Sequence, residues 1–132
     1  MQDIFRGTLP EKSDSGRTVM AVERIEDYLA SSPIVLFMKG SPEFPQCGFS
    51  AQVASALRAC QASFTHVDVL EDQELRQTLK TYSNWPTIPQ LYIDGELMGG
   101  CDIVMDLYRS GDLLRMVQQV AAVSRGHDGR PY

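Results

Sequence analysis

One stretch of this 132-residue chain has side chains and spacing able to do chemistry: Lys39-Gly40-Ser41-Pro42-Glu43-Phe44-Pro45-Gln46-Cys47-Gly48-Phe49-Ser50. A cysteine attacks disulfides or binds soft metals as thiolate, so the question is what would ionise Cys47. An apolar run, Ile34-Val35-Leu36-Phe37-Met38, precedes the stretch, and helical periodicity follows it. The order reads strand, loop, helix, with Cys47 where the helix begins. A thiol there lies beside unpaired backbone N–H groups and the positive end of the helix dipole, which favours the thiolate. The alternative is a small apolar residue under a loop. Gln46 and Gly48 flank Cys47 where an apolar stripe would be expected, which favours the reactive reading.

The elements that must position this loop follow from periodicity. Residues 18–31 place Val19, Val22, Ile25 and Leu29 on one helical face, and Pro33 stops that helix. Ile34 to Met38 is apolar on both faces, as expected of a strand at a sheet centre. After the loop, Phe49, Val53, Ala56, Leu57 and Cys60 form a stripe, which makes Cys60 a core residue without chemistry. Phe64 to Val69 alternates as a strand, with His66 pointing outward. A strand, helix, strand sequence predicts a right-handed unit with parallel pairing. Glu71 and Asp72 open a helix whose core face is Leu75, Leu79 and Tyr82, with Arg76 off that face. Two prolines in Asn84-Trp85-Pro86-Thr87-Ile88-Pro89 break it.

Gln90 to Ile93, Asp94-Gly95 and Glu96 to Met98 predict a hairpin, because Asp-Gly suits the positive φ angles of a tight turn. Gly99-Gly100-Cys101-Asp102 then leads into a helix carrying Ile103, Leu107 and Tyr108. Gly111 ends that helix, and Asp112 caps a last one with Leu113, Met116, Val117 and Val120 on its face. The order αβαβαββαα predicts an α/β domain over residues 18–123, a four-stranded mixed sheet flanked by helices. Residues 1–17 and 124–132 read as flexible tails.

Composition bounds the function. Hydrophobic content of 43% and charged content of 22% suit one soluble globular domain. A formal charge of −5 argues against a broad nucleic-acid or anionic-membrane surface. Three cysteines, an odd count without a paired framework, point to a reducing compartment. No stretch has the length of a membrane span, and the first residues lack an apolar leader and carry acids, so the expected location is cytoplasmic.

Together, Met38-Lys39-Gly40, Cys47-Gly48-Phe49-Ser50, Trp85-Pro86-Thr87-Ile88-Pro89 and Gly99-Gly100-Cys101-Asp102 resemble the monothiol glutaredoxins, a thioredoxin-fold family. The resemblance spans roughly residues 18–122. It implies a glutathione site in which Lys39 and Arg76 meet carboxylates, the backbone of Ile88 pairs with the extended tripeptide, and Cys101 and Asp102 hold its γ-glutamyl end. It also implies a cis peptide before Pro89.

In dithiol relatives the residue three after the reactive cysteine is a second cysteine. Ser50 stands there, and a hydroxyl cannot resolve a mixed disulfide. The resemblance therefore implies a carrier. A two-iron, two-sulfur (2Fe-2S) cluster is ligated by Cys47 and glutathione from each of two chains, then passed to apo iron-sulfur proteins. A BolA-type protein is a further implied partner. The alternative is a glutathione-dependent oxidoreductase acting on glutathionylated proteins. Whether Cys101 resolves in place of Ser50 depends on its distance from Cys47.

Overall fold

A computed structural model describes residues 9–128. The elements are helix α1 (Leu9–Ser31), strand β1 (Ile34–Met38), helix α2 (Gly48–Ala59), strand β2 (Thr65–Asp68), a 3-10 turn (Val69–Glu71), helix α3 (Gln73–Ser83), strands β3 (Gln90–Ile93) and β4 (Glu96–Gly99), and helices α4 (Cys101–Ser110) and α5 (Asp112–Asp128). The sheet order is β2-β1-β3-β4. β1 pairs with β2 in parallel, Val35 opposite Thr65, and with β3 antiparallel, Ile34 opposite Ile93. The thioredoxin-like α/β architecture expected from the sequence is the one observed.

Strand β1 is buried along its whole length because both of its faces carry a core. Ile34, Leu36 and Met38 join Leu91 and Ile93 against Val53 and Leu57 of α2, Val104 of α4, and Leu113 and Val117 of α5. Val35 and Phe37 join Val67 and Tyr92 against Ile25 of α1 and Leu75 and Leu79 of α3. Cys60 belongs to the first core at 6% exposure. The C-terminal end of β1 is thereby fixed from two sides, and Lys39 follows it directly.

Helix assignments held better than their predicted faces. Helix α1 starts at Leu9, nine residues before the sequence reading placed it, so residues 9–17 of the expected tail are helical. Pro10 falls in the first turn, where a missing N–H costs nothing. The expected tail at 1–8 lies outside the described residues, as does 129–132, while 124–128 continue α5. In α1 the inward residues are Ala21 and Ile25, and Val19 is exposed. In α4 Val104 is the buried residue, whereas Ile103 and Tyr108 are exposed; Tyr82 of α3 is exposed too.

Asp72 links two of these elements. Its Oδ1 accepts from the Leu75 N–H at 3.0 Å, capping α3, and its Oδ2 accepts from Arg24 of α1 at 2.8 Å. Both charged side chains are more than a third exposed, so solvent screening leaves the ion pair little net effect. Asp72→Ala is expected to cost about 1 kcal/mol, mainly through the lost cap. Urea unfolding measures this; an unchanged midpoint would show that the cap is idle.

Candidate functional site

The start of the loop between β1 and α2 is held by side-chain oxygens from α2 and β2. The Lys39 N–H donates to Ser50 Oγ at 3.1 Å, and the Gly40 N–H donates to Asp68 Oδ1 at 2.9 Å. The Gln46 N–H donates back to the Lys39 carbonyl at 2.9 Å, and Gly40 bridges to Pro45. Gly40 has φ +89°, and a Cβ there would lie 2.5 Å from the Phe44 carbonyl oxygen and 2.7 Å from the Gln46 nitrogen. Left-handed backbone and a close approach both demand glycine. The loop is thus a tight structure delivering Cys47 to one place.

Cys47 is the N-cap residue of α2, in extended conformation, and its carbonyl accepts from the Ala51 N–H at 2.9 Å. The thiol is half-buried, and its pKa lies below the ordinary cysteine value. The main cause is the Ser50 backbone N–H, which favours the anion; burial opposes it, and the Phe49 N–H, the Ser50 hydroxyl and the Lys39 charge add to it. The Cys47 thiol forms no side-chain cap among the described residues.

Ser50, fully buried, occupies the N3 position beneath this sulfur. The sequence reading saw in it only the lack of a second thiol. The structure adds that its hydroxyl ties the end of β1 to α2.

A cavity of about 210 Å³ opens between the Trp85–Pro89 turn and the start of α4. It brings together three of the expected site residues, Ile88, Cys101 and Asp102, and adds Phe49, Trp85 and Thr87. The Ile88–Pro89 peptide is cis, as the resemblance implied. Gln90 supports the turn from below. It is fully buried, its Nε2 donates to the Trp85 and Thr87 carbonyls at 3.1 and 3.2 Å, and its Oε1 accepts from the Tyr92 hydroxyl at 3.1 Å. Burial pushes the Tyr92 hydroxyl pKa up to about 12, so it remains a donor.

Phe49 was expected on the core stripe of α2; it is 59% exposed and walls this cavity. Its position in the first turn turns it away from the sheet. Gly100 is the N-cap of α4, and Asp102 is the second residue of the helix.

Cys101 opens α4, and its thiol lies 3.5 Å from Gln52 Oε1 of α2. Burial raises its pKa first, followed by the charges of Asp102 and Cys47. The two thiols therefore diverge: Cys47 ionises early and Cys101 late. Across a pH series, iodoacetamide is expected to label Cys47 first as pH rises and Cys101 only at higher pH, followed by mass spectrometry of the peptides. Earlier labelling of Cys101 would contradict this.

Lys39 is half-buried at the end of β1, and Arg76 is half-buried on α3. Neither forms an ion pair among the described residues, and neither lines the 210 Å³ cavity. Lys39 is linked to the site through its charge on Cys47 and its N–H to Ser50; nothing ties the Arg76 side chain to the other candidates. The larger cavity of about 550 Å³, beside His66 and Glu71, is not where the chemistry gathers. Its Asp68 and Asp72 are already used, accepting from the Gly40 and Leu70 N–H groups and from Leu75 and Arg24.

Comparison with known proteins places this architecture. The glutaredoxin family profile matches residues 34–98. The chain is 50% identical over 101 residues to Glutaredoxin 4 of Escherichia coli (strain K12), covering 76% of this chain and 88% of that one. It is 53% identical over 103 residues to Monothiol glutaredoxin-S11 of Oryza sativa subsp. japonica, spanning 75% of this chain and 21% of that longer protein. The solution structure of reduced poplar apo GrxS14 matches with TM-score 0.66 at 49% identity, over 76% of this chain and 92% of the other. With a single thiol at the start of α2 and serine three residues on, the chain belongs to the monothiol glutaredoxins.

Proposed function

We propose that this protein carries a 2Fe-2S cluster ligated jointly by Cys47 and glutathione across two copies of the chain, and delivers it to apo iron-sulfur proteins. The observation that carries the reading is one accessible, acidified thiol with a hydroxyl where a second thiol would serve exchange. A two-iron, two-sulfur cluster needs four ligands, typically thiolates. Among the described residues no group of three or more His, Cys, Asp or Glu side chains could hold a metal ion. Cys60 is enclosed in the core. Cys101 is half-buried like Cys47, but its raised pKa disfavours the thiolate. On this reading one chain supplies one ligand, Cys47, and the remainder come from outside it.

Glutathione suits that role. The 210 Å³ cavity offers the start of α4, whose N–H groups at Cys101 and Asp102 favour a carboxylate. The backbone of Ile88 lies along the same cavity, where an extended tripeptide pairs as an added strand. Lys39 and Arg76, which form no ion pair among the described residues, are cations suited to its other carboxylate. A cluster half-held by small molecules is labile, which is what a carrier requires. A BolA-type protein is a candidate alternative partner to the second copy.

The acidified thiol also favours a second reading, attack on glutathionylated proteins with a second glutathione resolving the product. The raised pKa of Cys101 makes it a poor internal resolving thiol near neutral pH. Two assays separate the readings: cluster transfer from the reconstituted protein to an apo-ferredoxin, and glutathione release from a glutathionylated protein. Fast transfer with slow deglutathionylation supports the carrier. Fast deglutathionylation by a protein that takes up no cluster supports the enzyme.

A further inference from the structure

Trp85 is the only tryptophan in the chain, and its indole Nε1 is buried without a hydrogen-bond partner among the described residues. An unsatisfied buried donor costs about 1–3 kcal/mol, so such groups are few in folded proteins and call for a reason. This one borders the 210 Å³ cavity, next to Gly100, the N-cap residue of α4.

Gly100 has φ −95° and ψ −160°, an extended conformation open to any residue, so backbone geometry does not require glycine there. Space does. A Cβ at residue 100 would lie 3.0 Å from Trp85 Nε1 and 3.3 Å from the Pro89 carbonyl oxygen. The glycine leaves the space beside the indole nitrogen free of a side chain. Cys101 and Asp102, in the first turn of α4 where N–H groups lack intrahelical partners, line the same cavity.

We infer that the Trp85 indole N–H is a donor to the bound tripeptide, meeting a carboxylate oxygen seated at the start of α4 beside Cys101 and Asp102. This rests on the glutathione reading above. In the free protein the nitrogen is closed to water, so the acceptor is met by a small turn of the indole as the ligand enters.

The test uses the whole chain and reduced glutathione. Because there is one indole N–H, its single resonance in a ¹H–¹⁵N correlation spectrum is unambiguous. It is expected to shift on titration together with the amides of Cys101 and Asp102. Trp85→Phe keeps a ring in the wall and removes the donor, and is expected to raise the glutathione Kd about tenfold.

Movement of the Cys101 and Asp102 amides without the indole resonance would overturn the inference and leave the glutathione site standing. So would a folded Trp85→Phe with wild-type affinity. If the wild-type chain binds no glutathione at all, both readings fall.

Discussion

Replacing Cys47 by serine is expected to leave the protein colourless after anaerobic reconstitution with iron, sulfide and glutathione, whereas wild type and Cys60→Ser acquire the visible absorbance of a 2Fe-2S cluster. The asymmetry follows from position. Cys47 sits at the N-terminus of α2, where the Ser50 and Phe49 N–H groups and Lys39 favour the thiolate, the form of cysteine that ligates metals. Cys60 lies at the far end of the same helix, inside the core, where burial alone raises its pKa. Serine at 47 preserves size and hydrogen bonding but offers no thiolate, so the fold stays and the ligand is lost. The reverse pattern, colour lost in Cys60→Ser and retained in Cys47→Ser, would overturn the site assignment.

Lys39→Ala is expected to weaken glutathione binding by about 1.5–3 kcal/mol, the range for a hydrogen bond to a charged group. That corresponds to roughly ten- to a hundred-and-fifty-fold in Kd. The lysine's backbone is fixed twice over, by its own N–H on Ser50 and by its carbonyl accepting from Gln46. Its ammonium has no competing ion pair among the described residues. Neither backbone bond is touched by truncating the side chain, so the loop is expected to persist and the loss to be one of affinity. Calorimetric titration checks it. Unchanged affinity would remove Lys39 from the site, and a collapsed fold would assign it a structural role.

The order of elements along the chain and the place of Cys47 were legible because each rests on local chemistry. A five-residue apolar run closed off by Pro33 and Gly40 favours a strand buried on both faces, and Asp94-Gly95 favours a tight turn; both were found, with Asp94 at φ 52° and Gly95 at φ 80°. Faces near helix ends were less legible. Phe49 and Ile103 continue their helices' apolar patterns yet lie in first turns, where the chain is still leaving the sheet, and there they border the cavity instead.

What periodicity cannot show is long-range pairing. Ser50 with Lys39, Asp68 with Gly40 and Gln52 with Cys101 join residues 11, 28 and 49 positions apart. No spacing rule reaches across those distances. Trp85 was visible in the motif but had no assigned task, because its unpartnered N–H exists only once the turn is folded against Gly100.

The most direct measurement is native mass spectrometry of the protein reconstituted anaerobically with and without glutathione. The account predicts a species of two chains, two glutathiones and one 2Fe-2S cluster, present only when glutathione is supplied. A cluster held by a single chain, or one that assembles equally well without the tripeptide, would contradict it.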